Sequence, residues 1–251
     1  MRRDGWAPLG LGLASVAVVL ALVEALIRAG WVNGHVVPLP SAVLGSLGRV
    51  IREEGIAGRF LLTAFEALVA GALVGLAGIS LGVWLHRHER WRAACVSPLG
   101  ALAAAPLVVA YQPFLVLFGR GAPTLIAMGF ACGLAPTILK TVEGLGATRR
   151  VLVDVGRSFN LSRSQEFWKI LLPSALPTIF VGLRLGLMFG LINIVGVEYL
   201  INTGGLGQLV NELFERYDHP GAYATILFVI LISVGLYIAT ERIERWLRRG
   251  T

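Results

Sequence analysis

Few side chains in this 251-residue chain are placed to make or break bonds. The four histidines, His35, His86, His88 and His219, all fall in polar stretches between apolar runs. His86 and His88 stand two apart, a spacing that puts them on different faces of a helix. There is no H-E-x-x-H pair and no G-x-x-x-x-G-K-S/T phosphate loop, so the chain is not expected to bind metal or ATP by those routes. Cys95 and Cys132 lack metal-ligand spacing and read as small core residues. What remains is a handful of polar groups inside apolar runs, where burial in lipid is expensive and function is a common reason for it. Glu24 precedes Arg28 by four residues, the spacing of a self-satisfying helical pair. Glu66 falls early in its run, where an outer interface would solvate it. Arg184 lies eleven residues into another run and either pairs with a carboxylate or backbone carbonyls or attracts an anionic solute. Phe189, Asn193 and Glu198 follow on the same helix, and Tyr111 and Gln112 sit beside Pro113 in a third run. Tyr111, Gln112, Arg184, Phe189, Asn193 and Glu198 are the candidates for a solute path, against the plainer reading of helix–helix hydrogen bonds.

The elements that would hold these groups are membrane spans. Hydrophobic residues make up 56% of the chain and charged residues 15%, against about 25% charged in soluble domains. The mean hydropathy is +0.74. A pI near 10.1 could suggest nucleic acid, but the basic residues lie almost wholly outside the apolar runs. Six runs are long enough to span, at 7–30, 60–85, 94–118, 121–141, 174–200 and 221–243. The first follows Arg2 and Arg3 and reads as an uncleaved span, because no small-x-small cleavage site with a polar start follows it. Fifteen basic residues fall on the side of the termini, the 86–93 turn and the 140–172 segment, against five on the other side. That asymmetry predicts both termini in the cytoplasm. An amphipathic stretch from Ser41, with Val43, Leu44, Leu47 and Val50 on one side, predicts a short helix at the outer interface. Leu206, Leu209, Val210 and Leu213, after three glycines, predict a second short interfacial or re-entrant piece. Pro106, Pro113 and Pro136 predict kinks in the third and fourth spans. The expectation is one all-α integral membrane domain over 1–251, with its core at about 55–245.

The longest polar interruption, from Arg149 to Pro177, is not built like a slack loop. Val151, Leu152, Val155 and Phe159 recur at helical spacing, while Arg150, Asp154, Arg157 and Ser158 share the other face. Asn160 suits a left-handed helix end, and Ser162 with Gln165 three residues on reads as a capping box. A second helix carrying Phe167, Trp168, Ile170 and Leu171 is expected to stop near Pro173. The result is a helix, a sharp turn and a helix, with an apolar and a charged face available to something outside the membrane.

This segment, about 142–173, resembles the cytoplasmic EAA loop of the permease subunits of bacterial ABC importers. The family pattern is E-A-A, three residues, Gly, nine residues and I-x-L-P. Here Asp154, Val155 and Gly156 fill the triplet, Arg157, Ser158 and Phe159 the gap, and Asn160 stands in place of the glycine. Ile170, Leu171, Leu172 and Pro173 follow in register. Leu39-Pro40-Ser41, Gly182-Leu183-Arg184 and Gly205-Leu206-Gly207 are similar to motifs of the nitrate/sulfonate/taurine branch. The resemblance implies a type I importer permease with six spans, acting as a pair with a second copy in the bacterial inner membrane. It implies a cytoplasmic ATPase dimer that binds ATP and Mg and grips Asp154, Val155, Gly156, Arg157, Ser158, Asn160, Ile170, Leu172 and Pro173. It also implies an extracytoplasmic binding protein that delivers solute, either a sulfonate-, taurine- or nitrate-like anion or a vitamin precursor such as a pyrimidine. On this reading the chain is no enzyme, carries no cofactor of its own and binds no nucleic acid. The competing readings are a self-sufficient secondary transporter or channel and, less well served by the residues, an intramembrane enzyme.

Overall fold

A computed structural model describes residues 7–34 and 36–248, with side chains described except at 7–9, 13 and 246–248. The sequence-based assignments at Arg2, Arg3, His35 and Arg249 lie outside the described residues. Helices follow one another as α1 Ala7–Arg28, α2 Pro40–Glu53, α3 Ile56–Arg87, α4 Glu89–Ala104, α5 Tyr111–Phe118, α6 Ala122–Gly146, α7 Arg150–Ser158, α8 Arg163–Glu166, α9 Leu172–Ile201, α10 Leu206–Glu215 and α11 His219–Arg248. No strand occurs among the described residues. Among the described residues, five helical spans are long and apolar enough to cross a membrane, at 10–28, 56–87, 122–146, 163–201 and 219–245. A sixth exists only if α4 and the 107–118 segment are taken together, and these meet at an 89° bend. Pro106 supplies the cause: it has no N–H to continue the helical ladder, so Ala105 turns extended (ψ 136°). The third span expected at 94–118 is therefore a broken one.

The chain divides into two compact units. The first joins residues 1–59 and 209–230. In it, Glu24 receives Arg28 at 2.6 Å and caps α2 from outside, accepting from the Ser41 amide at 3.0 Å and its hydroxyl at 2.9 Å. The N-cap position itself is Leu39, which offers no side-chain oxygen, so the carboxylate does what a local cap would. Ion pairs tie the polar ends of this unit: Arg49 to Asp218, Arg59 to Glu212 at 2.8 Å and Arg216 to Glu54 at 3.2 Å. The Asp218 carboxylate raises the Arg49 guanidinium above its already high ordinary pKa. Leu209, Val210 and Leu213 of α10, expected in an interfacial or re-entrant piece, are buried in the protein.

The second unit joins 60–208 and 231–251. Its centre is the crossing of α6 and α9, which the glycines make possible. Gly133 of α6 meets Gly186 of α9 and Gly129 meets Gly190, while Gly182 lies against Pro136 and Lys140; the glycines recur at four-residue spacing and hence on one face of each helix. A Cβ on Gly133 would lie 2.7 Å from the Gly186 carbonyl oxygen, and one on Gly186 would lie 2.8 Å from that of Gly133. Thr137 shares its hydroxyl proton between the carbonyls of Gly133 (2.9 Å) and Gly182 (3.2 Å), so one side chain bridges both helices. Ala70, Leu125, Met128, Ile194, Val197 and Ile201 close the core on one side of this contact, with Tyr111 and Phe114 packed against them.

Candidate functional site

Three places in the second unit gather the residues of interest. The first is the polar segment after α6, which itself runs on to Gly146. α7 ends in a double hydrogen-bonded turn: the Asn160 amide donates to Arg157 O at 2.9 Å and the Leu161 amide to Gly156 O at 3.1 Å. Asn160 takes φ 52° to allow this, the left-handed conformation that Asn tolerates better than most residues. Ser162 then caps α8, with the Gln165 amide donating to its hydroxyl at 3.3 Å and its own amide donating to Gln165 Oε1 at 2.9 Å. Gly156 is buried where α7 meets the following helix, and a Cβ there would come within 2.5 Å of Ile170 Cδ1. Asp154 is exposed and 3.9 Å from Arg157, which leaves both charges in water. Val151, Val155, Phe159 and Trp168 stand exposed beside them, with Phe159 76% accessible.

The expected stop at Pro173 does not occur. α8 passes through a wider turn at Phe167–Leu171 into α9, and helix is continuous over 163–201. In that turn the Leu172 amide donates five residues back, to Phe167 O. The slack of such a π-type turn accommodates the missing N–H and the ring of Pro173 at the start of α9. Ile170, Leu172 and Pro173 are therefore part of a rigid continuation into a span.

The second place is a buried carboxylate brace. Glu198, fully buried, accepts from the Thr63 hydroxyl at 2.6 Å and the Gly207 amide at 2.8 Å, while Thr63 accepts the Leu206 amide at 3.0 Å. Glu66, one turn along α3 from Thr63, is 1% exposed, with its carboxyl against that of Glu198. Protein surrounds it, where its position early in the run suggested solvation at an outer interface. A Cβ on Gly205 would fall 1.9 Å from a Glu198 oxygen, so only glycine fits there. Glu198 thus holds the Gly205-Leu206-Gly207 turn.

The third place is a cavity of about 400 Å³ at the broken span. Phe189, Ile192 and Asn193 of α9 face it across residues 102–108, with Cys132 of α6 at its side. Of the six path candidates, only Phe189 and Asn193 line it. Tyr111 starts α5 and packs into the core beside Met128 and Ile194, and Gln112 is exposed. Arg184 pairs with Glu244 of α11 at 2.9 Å and lies over the Tyr237 ring at 4.9 Å. The residues alone did not single out Thr63 or Glu244 and did not pair Glu66 with Glu198, because each partner lies more than a hundred residues or a whole span away. The i, i+4 glycines of α6 and α9 were the legible signal for the crossing.

Known proteins match this arrangement. A model of the binding-protein-dependent transport system inner membrane component family matches residues 67–249, which include the α6–α9 crossing and the helix–turn–helix. The chain belongs to that family. Among its relatives is the riboflavin transport system permease protein RibX of Chloroflexus aurantiacus, 26% identical over 99% of this chain and 92% of RibX. The taurine transport system permease protein TauC of Escherichia coli is 26% identical over 94% of this chain and 89% of its own. A chain of the inward-facing MetNI methionine ABC transporter superposes with a TM-score of 0.68 at 16% identity, over 76% of this chain and 95% of that one, which places the fold among importer permeases. This chain is accordingly an ABC importer permease component and an inner membrane component with multiple apolar helices.

Proposed function

We propose that this chain forms the solute pathway of an ATP-driven importer, paired with a second copy, driven by a separate ABC ATPase dimer and supplied by an extracytoplasmic binding protein. One observation carries the reading: the ordered helix–turn–helix at 150–171 shows solvent an apolar face of Val151, Val155, Phe159 and Trp168 beside the Asp154–Arg157 pair. Rigid, mixed apolar and charged surface of this kind suits a cleft on a partner. The uninterrupted helix from 163 to 201 would carry any movement of the docked segment into a span. Fifteen basic residues against five support a cytoplasmic position for this segment and both termini. ATP and Mg would be bound and hydrolysed by the partner. The relatives' names extend to riboflavin, taurine and formylaminopyrimidine, which keeps a small anion and a vitamin precursor both in view as cargo.

The test is co-purification with a co-expressed ABC ATPase subunit from the same genome, followed by ATP-dependent uptake in proteoliposomes. Asp154→Lys, or deletion around Asn160, should abolish both and leave membrane insertion intact. Undiminished ATPase capture by those variants would refute the docking assignment. Solute uptake by the chain alone, with no ATPase present, would favour a self-sufficient transporter.

A further inference from the structure

The cavity at the broken span has a chemistry of its own. Residues 102–108, Cys132, Phe189, Ile192, Asn193 and Gly196 line it, so no carboxylate, ammonium or guanidinium does. Asn193 is its one polar side chain apart from the thiol. The Asn193 Nδ2 donates one of its two N–H groups to Phe189 O at 2.9 Å, which fixes the amide and leaves Oδ1 and the second N–H toward a ligand. The span breaks at Pro106, which brings no N–H; the Leu102 carbonyl takes the Ala105 amide at 3.3 Å, and the Leu107 amide turns to Ala105 O at 2.8 Å instead of continuing the ladder to Ala103 O in this wall. The polar groups on offer are therefore chiefly acceptors. Phe189 adds an aromatic face, 40% exposed. An anion here would lie in an apolar wall without a countercharge, a costly arrangement. Arg184, a cation of the same helix, is not in the wall and is held by Glu244 and Tyr237. A volume of about 400 Å³ falls within the range of about 300–1,000 Å³ typical of small-molecule sites.

We infer that this cavity takes an uncharged, planar nitrogen heterocycle, whose ring N–H or amino groups donate to Asn193 Oδ1 and the carbonyls at the break while its ring lies against Phe189. The inference rests on the reading of the chain as a solute pathway and chooses the cargo class within it.

The full chain in lipid nanodiscs is titrated with lumichrome, a neutral fluorescent tricycle with ring N–H donors, and the signal from empty nanodiscs is subtracted. Saturable binding is expected, and methanesulfonate should not displace it. Asn193→Leu should weaken it about fivefold, the worth of one neutral hydrogen bond. Phe189→Ala should weaken it by a similar factor through loss of the ring contact. Both variants are first checked for the wild-type melting temperature, and Asn193→Ser serves as the variant if Asn193→Leu fails to fold. Absence of saturable binding, displacement by methanesulfonate, or wild-type affinity in the folded variants overturns the inference. Capture of the ATPase subunit is scored in parallel on the wild-type chain. A chain that keeps the ATPase but binds no lumichrome loses only the heterocycle, whereas one that binds lumichrome but captures no ATPase loses the importer reading.

Discussion

In the helix–turn–helix at 150–171, the turns and caps are closed by hydrogen bonds between residues three to five positions apart, such as Leu161 to Gly156 and Ser162 to Gln165. In the α6–α9 crossing, Thr137 reaches Gly182, 45 residues away, and glycines from the two helices meet backbone to backbone. The first region is specified by its own sequence and leaves Phe159 and Trp168 uncovered. The second is specified only when distant segments meet, and its touching glycines are buried between the two helices. The stability of the second unit should therefore reside in the crossing, while the helix–turn–helix can hold its shape and still offer its surface to a partner. Substitutions in the two regions should separate these properties.

The largest effect is expected at the crossing. Gly186→Val pushes a branched side chain toward the Gly133 carbonyl, where even a Cβ would stand 2.8 Å away, and backbone cannot yield as a side-chain tip can. A loss of about 3 kcal/mol is expected, the upper end of overpacking costs. Loss of the monodisperse peak in detergent and a lowered melting temperature would register it. A wild-type melt would mean that the two helices do not cross this closely.

The carboxylate brace comes next. Glu198→Ala strips the Thr63 hydroxyl and the Gly207 amide of their buried acceptor, at about 2 kcal/mol. Glu198→Gln keeps an acceptor oxygen and should recover about half of that. If Ala and Gln melt alike, the Gly205–Gly207 turn is held by packing alone.

On the other side of the comparison, Val155→Asp with Phe159→Ala should leave the melting temperature in place, because both side chains are already in solvent. The same pair should weaken ATPase binding at least about tenfold, since truncated interface anchors commonly cost that much. Pull-down against a titrated ATPase subunit reads the second quantity and a thermal melt the first. A fall in stability with binding unchanged would reverse the roles assigned to the two regions.

The contrast also explains what could be read from the residues alone. The left-handed Asn160, the capping box at Ser162 and the apolar face of α10 were visible because each needs only residues within a few positions. The spans were visible because lipid demands long apolar runs, and the all-helical architecture and the family followed from these features and the loop motif. The 89° break was half visible: Pro106 announced a disturbance, but its size depends on what packs against the two pieces. The continuity through Pro173 was missed because a proline rule assumes a regular ladder, and the turn at Phe167–Leu171 is wider than that. Arg184 shows the limit most plainly. Its two readings could not be separated until Glu244, sixty residues on, was placed within 2.9 Å.

The smallest expected effect probes the local region with least disturbance. Asn160 carries φ 52°, a conformation that costs a residue with an ordinary Cβ about 1–2 kcal/mol and costs glycine nothing. Asn160→Gly should therefore leave the turn intact, and Asn160→Ala should weaken it by about 1 kcal/mol. Because the surrounding hydrogen bonds are local, that loss should stay local. Amide exchange at Leu161, whose N–H closes the turn onto Gly156, should quicken about fivefold in the alanine variant. Amides of α6 and α9 should exchange at wild-type rates. If the alanine substitution loosens α9 as well, the helix–turn–helix is not an autonomous surface but part of the cooperative core, and the separation of the two regions fails at the continuous 163–201 helix that joins them.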